Sequence, residues 1–212
     1  MATTDKASTR DRLLDAAAEL FYRDGVSIGV EALCRTAGVS KRSMYQLFDG
    51  KDDVLAASLA RRAPGYAAQL TPGPGDAGTP RERILYVFER AEALSAAADY
   101  RGCPYLAALV ELKDPAHPAS VVAREAKERL QGAFRTQAER GGAEDPAFLA
   151  RQLMLVFDGA SARAGSGIET LDGLATTTAA ALLDAAGMRA PGERTAPGER
   201  TAAGERTAPA DR

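Results

Sequence analysis

Apolar residues recur along most of this chain at the spacing of an α-helix, three or four positions apart. Leu13, Ala17 and Leu20 form one such stripe, and alanine and leucine repeat in the same way in later segments. Valine and isoleucine are sparse, and the alternation of apolar and polar residues that marks a half-buried strand is not sustained. The pattern therefore predicts an all-α fold.

Capping and helix-breaking residues divide this pattern into separate helices. Ser8 and Asp11 have the spacing of a capping box at the start of the first helix, and Gly25 is placed to end it. A fourth helix should begin near Lys51, and we expect Pro64 with Gly65 to kink or end it. Later helices are expected over about residues 81–98, 104–111, 118–140, 146–165 and 170–186, after a Pro/Gly-rich linker at 71–80.

Composition limits the kinds of function that the chain can have. Hydrophobic residues make up 45% of the 212 residues, which is enough for an ordinary buried core. The formal net charge is −2, so any binding to nucleic acid must come from a local basic patch. The two cysteines, Cys34 and Cys103, and the single histidine, His117, are too few for a zinc site built from Cys and His alone.

Motifs for catalysis and for membrane insertion are missing from the sequence. There is no glycine-rich phosphate loop, nucleophile elbow or cluster of metal ligands, so we predict no catalytic residues, no cofactor and no metal site. The first six residues have no apolar signal core, and no apolar run is long enough to span a bilayer. We therefore expect a soluble cytoplasmic protein with no membrane partner.

The C-terminal segment has a different composition from the rest. Residues 190–207 repeat a six-residue unit, APGERT twice and then AAGERT, without a bulky apolar side chain. Such a segment cannot bury enough surface to offset the entropy lost on ordering. We predict that residues 190–212 form a disordered low-complexity extension, although a functional arm is an alternative.

The segment from Val30 to Phe48, VEALCRTAGVSKRSMYQLF, predicts two short helices joined by a tight turn. Gly38 lies at the turn, where a residue that tolerates positive φ is needed, and Ser40 is placed to cap the second helix. Cys34 supplies a small side chain where the two helices should cross closely. The core-facing residues of the second helix are predicted to be Met44, Leu47 and Phe48.

The opposite face of this second helix has the chemistry of a DNA-reading surface. Rotation of 100° per residue turns a set of polar side chains outward or to the flank: Lys41, Arg42, Ser43, Tyr45 and Gln46. Arg42 can pair in bidentate fashion with guanine and Gln46 with adenine, while Tyr45 and Lys41 suit phosphates. Between residues 35 and 51 there are four basic residues and one acidic residue, a local charge of +3.

Spacing alone leaves other functions open. Two short helices separated by a glycine occur in many helical proteins, and exposed Arg, Tyr and Gln side chains are often simply solvated. The alternatives are a helical small-molecule carrier or enzyme whose N-terminal helices are only structural, and a helical protein-interaction adaptor.

Several segments together resemble the TetR family of transcriptional repressors. In the N-terminal part these are Thr9–Ala17, Glu19–Phe21 with Gly25, Ala37–Lys41 with Tyr45 and Phe48, and Gly50–Leu55. Later segments resemble one branch of the family's ligand-binding domains: Arg101–Tyr105, His117–Pro118, Leu149–Leu153 and Asp158–Gly159. Two positions depart from the family, with Leu47 where a His is frequent and Gly29 where a Thr or Ser cap is frequent.

The resemblance implies a ligand-responsive repressor in two parts. Residues 1–50 would form the helix-turn-helix DNA-binding domain and residues 51–189 a helical domain for effector binding and dimerisation. A homodimer formed through the last two helices would bind a pseudo-palindromic double-stranded operator. The residues implied to contact DNA are Lys41, Arg42, Ser43, Tyr45, Gln46 and Lys51, with Tyr45 and Lys51 on phosphates.

The same resemblance implies a pocket for a small-molecule effector between the later helices. The candidate lining residues are Phe88, Cys103, Tyr105 and Phe157. The absence of tryptophan and the few internal charges favour an uncharged or aromatic effector. Cys103 is interpreted as an inert cysteine at a helix start, with a redox-sensing thiol as the alternative.

Overall fold

The computed structural model describes residues 8–73 and 75–189, and within them the chain has nine α-helices and no strand. The all-α prediction is therefore confirmed. The predicted disorder of residues 190–212 concerns a segment outside the described residues. The helices are α1 (Thr9–Asp24), α2 (Val30–Ala37), α3 (Lys41–Tyr45), α4 (Lys51–Leu70), α5 (Pro80–Ser95), α6 (Pro104–Leu112), α7 (Pro118–Arg140), α8 (Pro146–Gly165) and α9 (Leu174–Ala185).

Local capping explains where the first three helices begin and end. The Ser8 hydroxyl accepts a hydrogen bond from the Asp11 amide at 3.0 Å, and Gly25 ends α1 with φ of 83°. Gly38 ends α2 in the left-handed conformation, with φ of 63° and ψ of 38°. A side chain would be strained there, so this glycine permits the tight turn into α3.

Helix α3 is shorter than the sequence pattern indicates, and this changes the position of one side chain. Met44 and Phe48 are buried as predicted, but Leu47 is 44% exposed, so the expectation that it faces the core is wrong. Regular helix ends at Tyr45, and the amides of both Leu47 and Phe48 bond to the Met44 carbonyl. The rotation of 100° per residue, from which Leu47 was predicted to face the core, applies only within regular helix and not through this turn.

Helix α4 continues through Pro64 to Leu70, so the expectation that Pro64 with Gly65 could end it is wrong. Proline removes one backbone hydrogen bond from a helix interior, at a cost of about 3 kcal/mol. Pro64 itself is exposed, whereas Ala63 before it and Leu70 at the end of the helix are buried. We attribute the continuation of α4 to this packing on both sides of the proline.

The helices pack around one continuous core. Helix α4 packs against α1 on one side and α7 on another, and α7 also contacts α5, α6 and α8. Helix α9 packs on α5 and α8. Helix α4 is thus in direct contact with both the N-terminal helices and the later bundle, while the domain boundary after residue 50 stays a prediction.

None of the helices over the described ranges has the length and apolar character needed to cross a membrane. In that same part of the chain, no group of three or more His, Cys, Asp and Glu side chains is arranged to hold a metal ion.

Candidate functional site

The outer face of α3 is set by two contacts on its inner side. The Ser40 hydroxyl caps the helix by accepting from the Ser43 amide at 3.0 Å. Met44 is fully buried, and its Sδ lies 3.8 Å from the Cys34 Sγ of α2. With the helix held in this rotation, four of the predicted contact residues are exposed: Lys41, Arg42, Tyr45 and Gln46.

Three of these exposed residues have side chains that the rest of the described chain does not engage. Arg42, Tyr45 and Gln46 make no side-chain hydrogen bond or ion pair within residues 8–73 and 75–189, and Tyr45 is 55% exposed. The Lys41 ammonium is 3.8 Å from a Glu31 carboxylate, and both side chains are largely exposed. An exposed ion pair of this kind contributes little to the free energy of folding, so it can open when a phosphate approaches Lys41.

The other two predicted contact residues already have partners within the chain. The hydroxyl groups of Ser43 and Ser40 are 2.8 Å apart. The Lys51 ammonium donates to the Val26 carbonyl at 2.8 Å and is partly buried. Lys51 therefore joins the start of α4 to the loop between α1 and α2.

That loop is also held by α6, through a residue that sequence reasoning missed. A Glu111 carboxylate oxygen accepts from the Val26 amide at 2.7 Å. A Cβ atom on Gly25 would lie 2.6 Å from the same oxygen and would displace the Glu111 carboxylate, and the positive φ of this residue also favours glycine. The contact joins residues 85 positions apart, and no local pattern could have indicated it.

Tyr22 makes a second link between α1 and the later helices. Its hydroxyl accepts from the Arg101 amide at 2.8 Å and donates to the Gly102 carbonyl at 3.2 Å. Helix α4 is bound to α1 as well, because the buried Ser58 hydroxyl donates to the Leu14 carbonyl at 3.1 Å. The N-terminal helices are thus connected to α4, to α6 and to the segment before α6.

An open cleft of about 870 Å³ lies between the end of α1, α4 and the segment leading into α6. Four tyrosines line it: Tyr22, Tyr66, Tyr100 and Tyr105. A smaller, partly open cavity of about 200 Å³ lies between α4, α6, α7 and α8 and also has Tyr66 and Tyr105 in its wall. We call these the outer cleft and the inner cavity.

The inner cavity brings together three of the four predicted effector-binding residues. Cys103, Tyr105 and Phe157 line it, and Cys103 is only 3% exposed. Phe88 is not in its lining, because it is fully buried against Phe134 with ring centroids 5.6 Å apart. The small lining residues of α4 and α7, such as Ala67 and Ala133, gave no signal in the sequence.

A pair of tyrosine rings separates the two spaces. The Tyr66 and Tyr105 rings meet edge to face with centroids 5.4 Å apart, and the Tyr105 hydroxyl donates to the Leu59 carbonyl of α4 at 3.2 Å. Burial raises the pKa of Tyr105 to about 12 and also raises the pKa of Tyr66. Both phenols are therefore neutral hydrogen-bond donors near neutral pH.

The last two helices expose an apolar surface on the outside of the bundle. Helix α8 buries one stripe and presents another, with Leu155 76% exposed and Phe148 53% exposed. On α9, Leu174 is 51% exposed. The large apolar residues of these two helices are thus divided, with Leu149, Leu153 and Phe157 in the core and Phe148 and Leu174 outside.

Comparison with known proteins gives consistent matches. A sequence model described as "Bacterial regulatory proteins, tetR family" matches residues 13–58. The chain is similar to the crystal structure of a candidate TetR-transcriptional regulator from Streptomyces avermitilis, with 62% identity and a TM-score of 0.85 over 86% of this chain and 100% of that one. A TetR-family transcriptional regulator from Streptomyces coelicolor is 26% identical, with a TM-score of 0.73, over 84% of this chain and 93% of that one.

Among curated relatives, the match covers only part of each protein. An uncharacterized HTH-type transcriptional regulator from Mycobacterium tuberculosis is 35% identical over 92 residues, which is 40% of this chain and 46% of that relative. The chain thus spans about half the length of the curated relative that it matches.

Proposed function

Because this chain belongs to the TetR family of bacterial regulatory proteins, we propose that it is a ligand-responsive transcriptional repressor that binds operator DNA as a homodimer. The observation that carries the proposal is the face of α3. Arg42, Tyr45 and Gln46 project together into solvent from a short helix whose opposite side is fixed by buried Met44. A rigid helix with unengaged polar side chains is the arrangement that major-groove readout needs.

The residues of this face divide into base-reading and phosphate-binding roles. Arg42 offers two parallel N–H donors for guanine, and the Gln46 amide can both donate to and accept from adenine. Lys41 and Tyr45 flank them and suit phosphate oxygens. Ser43 would need to give up its contact with Ser40 before its hydroxyl could bind a base.

Lys51 has a double role in the proposal. Its ammonium has three donors, of which one is used by the Val26 carbonyl. The remaining donors can reach a phosphate without loss of the link between α4 and the α1–α2 loop. A phosphate bound at Lys51 would therefore contact the same ammonium group that holds the α1–α2 loop against the start of α4.

Dimerisation is supported by the exposed apolar face of α8 and α9. Leu155 of this face is 76% exposed. Large apolar side chains that are exposed together usually mark a surface that contacts another protein chain. Two-fold pairing of this face would produce a four-helix interface. It would present two α3 helices to half-sites about one helical turn, or a multiple of it, apart.

The response to a ligand is proposed to pass along α4. The far end of this helix forms one wall of the inner cavity through Ala63, Tyr66 and Leu70. Its first residue, Lys51, holds the α1–α2 loop. A ligand that binds one arrangement of α4 better than another shifts the balance between them, with a coupling of about 1–3 kcal/mol in typical cases.

The proposal is tested by gel shift with duplexes from the DNA that flanks the protein's own gene. We expect a discrete complex that survives competition by excess unrelated DNA. If the protein binds all duplexes equally, or none, the repressor function is wrong.

A further inference from the structure

The size of the inner cavity suits a single aromatic ring. The cavity holds about 200 Å³, whereas an engineered apolar cavity of about 150 Å³ is known to bind benzene. The added volume accommodates one or two small substituents. Aromatic and aliphatic side chains dominate the lining, among them Tyr66, Leu70, Tyr105, Leu130 and Phe157.

This largely apolar cavity has one buried cationic group in its wall, the ammonium of Lys127. The Lys127 ammonium lies 4.9 Å from the centroid of the Phe157 ring, and the Lys127 side chain is only 13% exposed. Arg129 also borders the cavity, but its guanidinium pairs with Glu125 on the exposed side of α7. No carboxylate is among the described residues that line the cavity. The cavity therefore offers donors and positive charge to a ligand.

The present partner of Lys127 can be exchanged for a ligand. The ammonium is ion-paired with Asp158 of α8, whose side chain is 29% exposed and lies outside the cavity lining. If a ligand anion took over Lys127, the Asp158 carboxylate could turn to water. If a ligand cation took over Asp158, it would leave Lys127 as an unpaired charge in an apolar site, which is the more costly outcome.

We propose that the inner cavity binds a single-ring aromatic carboxylic acid whose carboxylate replaces Asp158 as the partner of Lys127. The aromatic ring packs among Tyr66, Tyr105 and Phe157. This inference rests on the proposed function, since it names the chemical class of the effector for the same cavity. Of the two expectations for the effector, uncharged or aromatic, it keeps the aromatic one.

The exchange has a structural consequence beyond binding. Lys127 and Asp158 tie α7 to α8. Helix α7 packs against α4, and α8 carries the exposed Leu155. An acid that breaks this tie changes how α4 is held relative to the proposed dimer face, and hence the spacing of the two α3 helices.

The test is isothermal titration calorimetry of the full chain with benzoate and salicylate, each against its neutral amide, benzamide and salicylamide. We expect the acids to bind and the amides to bind roughly 10- to 150-fold more weakly, the range for a hydrogen bond to a charged group. Lys127→Met should weaken acid binding by a similar factor. Asp158→Asn should strengthen it, because the competing carboxylate is removed.

Arg135→Met is the matched control, because it removes one positive charge from the exposed side of the same helix. It should leave acid binding unchanged. The opposite signs expected for Lys127→Met and Asp158→Asn separate a specific effect from a general loss of folding. The inference is overturned if no acid binds, if acids and amides bind equally, or if Asp158→Asn weakens the acids.

Calorimetry requires no DNA, so the outcome is independent of the operator assay. If the acids bind as expected but leave operator affinity unchanged, the proposed ligand response fails and the ligand class stands. If the protein binds its operator but none of the acids, the ligand class alone fails.

Discussion

The side chains of Arg42, Tyr45 and Gln46 face solvent because Met44, which lies between them, is buried against Cys34. The direction of this face could be derived from the sequence, since the apolar residues fix the rotation of a helix. The exposure of Leu47 could not be derived, because it depends on where α3 ends. The engagement of Lys51 by Val26 is a tertiary contact that no local pattern encodes.

Lys51→Met is expected to weaken binding to all DNA sequences alike, because phosphate contacts carry no sequence information. It should also lower the free energy of unfolding by about 0.5–1.5 kcal/mol, since the Val26 carbonyl loses its donor. Fluorescence anisotropy with specific and unrelated duplexes, together with urea unfolding, measures both effects. Lys113→Met, at the end of α6, serves as the charge control. A loss restricted to the specific duplex would contradict the assigned role.

The buried tyrosines are expected to make stability fall at high pH. Burial raises the pKa of both Tyr100 and Tyr105 to about 12, from about 10 in the unfolded chain. A raised pKa in the folded state gives stability that is present below about pH 10 and is lost as the pH rises towards about 12. Urea unfolding along this range, with tyrosinate absorbance as a second readout, checks the prediction. Complete tyrosine ionisation at pH 11 in a still-folded protein would contradict it.

Helices α7 and α8 begin at residues that the sequence makes recognisable, namely Pro118 after His117 and Pro146 after Asp145. Each start combines a capping side chain with a proline at the first helical position, which is a purely local signal. The course of α4 past Pro64 was missed because tertiary packing overrides a local breaker. Helix α9 begins later than predicted, because Asp172 and Gly173 both adopt positive φ.

Gly25→Ala is expected to destabilise the loop between α1 and α2. The substitution places a Cβ 2.6 Å from a Glu111 oxygen and forces alanine to adopt φ of 83°, so we expect a loss of at least about 1 kcal/mol. Gly132→Ala is the matched control, because Gly132 lies in an exposed part of α7 with open space around it. There alanine should stabilise by up to about 1 kcal/mol through helix propensity. Equal melting temperatures for the two variants would refute the role of Gly25.

At the scale of the whole molecule, α4 connects the N-terminal helices to the bundle, and the α8–α9 face remains uncovered in the single chain. The all-α class follows from the period of the apolar residues. The inner cavity could not be predicted from the sequence, because its walls come from four helices. They include alanines that look in the sequence like any other helical alanine. The Lys127–Asp158 ion pair also joins two helices, and no local sequence pattern around either residue predicts that they meet.

Leu155→Glu is expected to convert the proposed dimer into a monomer, because it places a charge on the exposed apolar face of α8 that we propose as the interface. Val110→Glu is the matched control, since Val110 is 61% exposed and lies on α6, which is not part of the proposed interface. Sedimentation velocity at micromolar concentration distinguishes the two. A monomeric wild type, or a Leu155→Glu variant that remains dimeric, would contradict the assembly.

The claim that the outer face of α3 reads DNA is tested most directly by selecting binding sites from random duplexes with the wild-type protein and with Arg42→Ala. We expect the wild type to select a pseudo-palindrome. The variant should lose preference at one position in each half-site and bind about 1–3 kcal/mol more weakly. If both proteins select the same sites with the same affinity, α3 does not read the operator and the account is wrong.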